Sequence, residues 1–85
     1  MAGYYLVIFK NTHGAISGEK FLKEKGFEVV VMPTPTSITK SCGISLRIKP
    51  EDYEKVYQLI KNKELEAEKL YMKTDSGYSL IDTDK

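Results

Sequence analysis

Two strand-like runs, Phe27–Met32 and Gly43–Ile48, follow one another with no helical segment between them. The first, Phe27-Glu28-Val29-Val30-Val31-Met32, is aromatic and β-branched, the composition that suits a pleated, half-buried surface. The second alternates strictly, which turns Ile44, Leu46 and Ile48 inward and leaves Ser45 and Arg47 on the other side. Pro33 ends the first run, and the stretch Pro33–Cys42 shows neither a helical nor a strand period. A chain with two successive strands at its centre cannot be a simple alternation of strands and helices.

The flanking segments complete the order. Tyr4–Phe9 is nearly continuous in its apolarity, as a central strand covered on at least one face should be. Lys10-Asn11-Thr12-His13-Gly14 breaks it, and Thr12 is the expected N-cap of a first helix. Ala15, Ile16, Gly18 or Glu19, and Leu22 give that helix its inner stripe, and Gly26 supplies the left-handed residue that ends it. Pro50-Glu51-Asp52 opens a second helix, proline fitting the first turn and the acids its positive end. Tyr53, Val56, Tyr57, Leu59 and Ile60 form its apolar face. Beyond Glu64, residues Leu65, Ala67, Leu70 and Met72 suit one or two short strands, with Asp75-Ser76-Gly77 as a turn before Tyr78–Ile81 and a polar tail at Asp82–Lys85.

Strand, helix, strand, strand, helix, strand is the split βαβ order of the ferredoxin-like fold, an α+β class with an antiparallel sheet and two helices on one face. Residues 1–74 are expected to form this single domain, and 75–85 a short hairpin or frayed polar tail. In that topology the first two strands run parallel with the third between them. Lys10–Gly14 and Pro33–Cys42 then meet at one edge of the sheet.

Composition narrows the function classes. The 85 residues allow one modest core. No apolar run is long enough to span a bilayer, and Met1-Ala2-Gly3 does not begin a signal peptide, so a cytoplasmic protein is expected. Thirteen Lys and Arg against twelve Asp and Glu leave a net charge of +1. That balance argues against broad phosphate binding, although a local patch can survive it. Neither a nucleic-acid nor a membrane partner is expected.

The chemistry-bearing residues are few. Cys42 is the single cysteine and His13 the single histidine, too few for a zinc site, and no metal or cofactor is expected. A lone cysteine is a packed thiol, a reactive thiol or an intermolecular partner. At the shared edge Cys42 would face the first helix's N-terminus, whose free N–H groups and partial positive charge favour a thiolate, with His13 or Lys40 adding to this. Gly43 beside it leaves room for a second molecule to approach. The hydroxyls of Thr34, Thr36, Ser37, Thr39 and Ser41 serve an anion or local turns equally well. The six tyrosines read as core and sheet-face residues rather than a base-stacking platform.

These residues carry a resemblance. Phe9-x-x-Thr12-His13, Pro33-Thr34-Pro35, Ser41-Cys42-Gly43 and Arg47-Ile48 with Pro50-Glu51-Asp52 resemble the Se/S carrier protein-like family, long catalogued as a domain of unknown function, over roughly residues 4–72. The resemblance implies that Cys42 carries sulfur or selenium as a persulfide or selenopersulfide. Thr12, His13, Pro33, Pro35, Ser41 and Gly43 match the family pattern as its surroundings. It implies a cysteine desulfurase-like donor and an acceptor protein, a carrier rather than a turnover enzyme, and it leaves a homodimer open. Two other readings stand beside it: a small-ligand-binding or regulatory module without covalent chemistry, and an interaction module with no chemistry at all.

Overall fold

The computed structural model describes residues 3–35, 38 and 43–81. It contains the strands β1 (Tyr5–Ile8), β2 (Val29–Pro33), β3 (Ile44–Ile48), β4 (Lys69–Thr74) and β5 (Gly77–Ile81), with helices α1 (Thr12–Glu24) and α2 (Tyr53–Lys61). The strands form one sheet in the order β2-β3-β1-β4-β5, and every neighbouring pair is antiparallel. Since β1 and β2 are each antiparallel to β3, they run parallel to one another with β3 between them. This is the split βαβ arrangement of the ferredoxin-like fold with a fifth strand added at the β4 side.

β1 sits in the middle, and Leu6, Val7 and Ile8 are all fully buried. Its unbroken apolarity follows from needing cover on both faces. One face packs on the helices: Val7, Phe9, Val29, Leu46, Ile48 and Leu70 meet Ala15 and Leu22 of α1 and Val56 of α2. The strand alternation therefore holds for Ile44, Leu46 and Ile48, but Ser45 on the opposite face is as buried as Leu46 and Ile48.

The inner stripe of α1 is Ala15, Gly18 and Leu22, spaced i, i+3 and i+7; Ile16 points outward and is 54% exposed. Gly18 decides which face goes in. A Cβ there would lie 2.6 Å from Phe9 Cε2 and closer still to Phe9 Cζ, so only a bare Cα fits over that ring. The helix ends as expected at Gly26, whose φ of +92° is open to glycine at little cost. Its N–H donates to the Lys23 carbonyl (3.0 Å) and that of Phe27 to Leu22 (3.0 Å), the paired bonds of a Schellman cap.

Pro50–Asp52 forms a 3-10 turn, so the helix proper starts later than the sequence suggests, at Tyr53. Tyr53 then stacks on Tyr5 at 4.4 Å between ring centroids, docking α2 on β1. After α2 the chain reaches β4 and turns through Asp75-Ser76 into β5, where Gly77 takes φ +136°. This hairpin is the turn anticipated at Asp75–Gly77. Across it the Tyr78 hydroxyl lies 3.3 Å from that of Tyr4; this hydrogen bond, with burial, pushes the Tyr78 phenol up to about 12. No helix among the described residues is long and apolar enough to cross a membrane. The tail at Asp82–Lys85 lies outside the described residues.

Gly18→Ala gains about 1 kcal/mol of helix propensity but overpacks the Phe9 ring by about 3 kcal/mol, a net loss of about 2 kcal/mol. Urea denaturation should show it as a lowered midpoint at unchanged slope.

Candidate functional site

The end of β1, the start of α1, the end of β2 and the start of β3 lie at one end of the sheet. The register requires it: Val7 pairs with Leu46 and Leu46 with Val31, so Ile8, Ser45 and Met32 come next together at that end. The expected juxtaposition of Lys10–Gly14 with the strand ends flanking the 33–43 segment is therefore present. α1 packs above β2 and β3, which carries its N-terminus toward the same end.

The cap of α1 corrects one expectation. Asn11, not Thr12, is the N-cap: its side-chain Oδ1 accepts from the Gly14 N–H at 2.8 Å, and its backbone is extended with φ −154°. Thr12 is already the first helical residue, and both Thr12 and His13 are exposed. Asn and Thr are both good caps, so composition alone could not choose between neighbours. What chooses is the helical phase, which needs Ala15, Gly18 and Leu22 inward.

The β2–β3 ladder runs one step past its last paired residues, Pro33 and Ile44, because the Thr34 N–H donates to the Gly43 carbonyl at 3.2 Å. Pro33 is thus inside β2 rather than beyond it, on an edge strand where its missing N–H is tolerated. Pro35 is half-buried, and its carbonyl accepts from the Ile38 N–H at 3.0 Å. Gly43 is exposed, with open space where a Cβ would point. Ser41 and Cys42, with Thr36, Ser37, Thr39 and Lys40, lie outside the described residues.

Two hydroxyls at the base of this segment carry a signal that the sequence does not announce. Thr34 Oγ1 and Ser45 Oγ are buried and have no hydrogen-bond partner among the described residues. Ser45 faces away from the helices, opposite Met32, and is completely inaccessible. Leaving a buried hydroxyl unpaired costs about 1–3 kcal/mol, so two close together call for an explanation. A strand serine in an alternating run reads as solvent-facing, which is why only the packing reveals it.

The far end of the sheet differs. A concavity of about 820 Å³ opens between the end of α1 and the start of α2, lined by Glu24, Lys25, Asp52, Glu54 and Lys55 among others. Charges of both signs stud this open groove, and it lies away from Thr12, Gly43 and the two hydroxyls. No three acidic, histidine or cysteine side chains cluster as metal ligands among the described residues.

Comparison with known proteins adds one finding. The family model described as "Putative Se/S carrier protein-like" matches residues 4–72. The chain belongs to that family. The matched span runs from just before β1 into β4, and so includes α1, the whole 33–43 segment and α2. Searches of the curated proteins and of the solved structures each return no match.

The reassigned cap is measurable. Asn11→Ala should cost about 1 kcal/mol of unfolding free energy, whereas Thr12→Ala, exposed and past the cap, should stay within about 0.5 kcal/mol. Equal losses in the two variants by urea denaturation would return the cap to Thr12.

Proposed function

We propose that this protein carries sulfur or selenium on Cys42, taking it from a cysteine desulfurase-like donor and delivering it to an acceptor protein. The observation that supports the reading is membership of the Se/S carrier protein-like family over a span that contains the chain's single cysteine. One thiol suffices for the chemistry. The Cys42 thiolate attacks the outer sulfur of a donor persulfide, the donor's S–S bond breaks, and the donor cysteine leaves as a thiolate. The new S–S bond is on Cys42, and no external oxidant or reductant enters. Delivery repeats the exchange: an acceptor thiolate attacks the outer sulfur, and Cys42 leaves. Selenium follows the same course through an S–Se bond.

The surroundings suit an anionic cargo. The N-terminus of α1, which begins at Thr12 and His13, brings helix-end N–H groups and partial positive charge to the same end of the sheet. Pro33 and Pro35 stiffen the approach from β2, Ser41 adds a hydroxyl donor, and Gly43 keeps the exit toward β3 free of a side chain. The hydroxyls of Thr34 and Ser45, without a hydrogen-bond partner among the described residues, are donors of the kind an anionic terminal sulfur accepts. A reducing cytoplasm keeps a single thiol available for such exchange.

Incubating the purified protein with a cysteine desulfurase and free cysteine should add the mass of one sulfur, and Cys42→Ser should abolish the gain. A wild-type protein that takes up no sulfur, and whose Cys42 resists alkylation at neutral pH, sinks the reading.

Ser45→Ala separates stability from function. Removing an unpaired buried hydroxyl should raise stability by about 1 kcal/mol, while the Cys42 persulfide should decay faster. An unchanged persulfide lifetime would show that the Ser45 hydroxyl serves no anion.

A further inference from the structure

The sheet face turned away from the helices has a chemistry of its own. Residues paired across adjacent strands project to the same side, so Val30, Arg47, Leu6, Tyr71 and Leu80 form one row across all five strands. Leu6 is fully buried at its centre, Arg47 is exposed, and Tyr71 is half-buried. The neighbouring row holds Tyr4, Lys73 and Tyr78, tied by the Lys73 N–H donating to the Tyr4 carbonyl at 2.8 Å and by the Lys73–Tyr78 pairing. On the other side Lys69 is paired with Ile8 and exposed.

Cations and rings interleave there. The Arg47 guanidinium lies 5.2 Å from the Tyr4 ring centroid, and the Lys73 ammonium 5.4 Å from that of Tyr78. A cavity of about 330 Å³ opens beside Tyr4 and Arg47, lined also by Val30 and Lys49. Glu28 also lies on this face, where Lys49 neutralises it in an ion pair. Arg47 and Lys69 are exposed, and the Lys73 ammonium donates to the Thr74 carbonyl at 2.6 Å. The net charge of +1, which argues against a polyanionic partner, is therefore an average over unlike surfaces.

We propose that this helix-free face binds single-stranded nucleic acid, with Tyr4, Tyr71 and Tyr78 offering rings to the bases and Arg47, Lys69 and Lys73 meeting phosphates. Charge complementarity alone would also admit an acidic polypeptide. The interleaved tyrosines favour nucleic acid, because only a ligand with flat unsaturated rings uses them together with the cations. The inference stands apart from the carrier reading and does not involve Cys42.

The test is fluorescence anisotropy with labelled oligouridylate and oligothymidylate of about twenty nucleotides, a length that covers one small domain. Saturable binding at low salt is expected, with log K falling against log salt at a slope of about −2 for three phosphate contacts. Tyr71→Ala should weaken binding about tenfold, and Lys69→Glu at least as much at low salt. Lys20→Ala on the exposed side of α1 should leave it unchanged. A preference between the two oligonucleotides, or none, is consistent with the proposal. Lys69 is exposed, so its variant keeps the test decisive if Tyr71→Ala fails to fold. Three outcomes overturn the proposal: no binding of either oligonucleotide, binding that neither variant weakens, or polyglutamate binding as tightly as both. A shift of the protein alone from dimer to monomer on Lys69→Glu would identify the face as a contact between copies and overturn it likewise.

Discussion

The contact between Phe9 and Gly18 governs how deep α1 can sit. Phe9 leaves the end of β1 with its ring 1% exposed, and that ring occupies the space a side chain at position 18 would need. Because position 18 is bare, the helix settles close enough for Ala15 and Leu22 to join Val29, Leu46 and Ile48 in one core. The same contact lies two turns from the N-terminus of α1. It therefore holds that terminus at the end of the sheet where β2 finishes and β3 begins. The candidate site is positioned by hydrocarbon packing some distance from any of its own polar groups.

The order of elements was legible in the sequence because it depends on periodicity. The alternation of Gly43–Ile48, the continuous apolarity of Tyr4–Phe9 and the Tyr53–Ile60 stripe each survive in the structure. Glycine signals were legible for the same local reason: Gly26 and Gly77 both take positive φ where a helix stop and a turn were expected. Details set by neighbours in space were not. Ile16 looked like part of an inner stripe, but Gly18 rotates the helix so that Ile16 faces outward. Thr12 looked like the cap, but the same rotation makes Asn11 the cap.

The site itself was legible only in outline. Topology predicted which segments meet, and the register through Val7, Leu46 and Val31 brings the strand ends that flank the 33–43 segment to the end of the sheet where α1 begins, while most of that segment lies outside the described residues. The buried hydroxyls of Ser45 and Thr34 could not be read from residue type, since a serine in an alternating strand ordinarily faces water. The tyrosines were equally ambiguous. Tyr5 and Tyr53 are indeed packing residues that dock α2, whereas Tyr4, Tyr71 and Tyr78 share the opposite face with Arg47 and Lys73. Counting six tyrosines hides this division, because one step along a strand changes the face.

Ser45 joins the two surfaces. It lies on the helix-free face, three residues after Cys42 and two residues, about 7 Å of strand, before Arg47. That is within a Debye length at physiological salt, so Arg47 contributes positive potential at Ser45 and the start of β3. A polyanion on the face would neutralise that potential. An anion held by the Ser45 hydroxyl, as proposed for the cargo, would then be less favoured while the face is occupied. If both proposals hold, the two activities are coupled by electrostatics alone, and no conformational change is needed to link them.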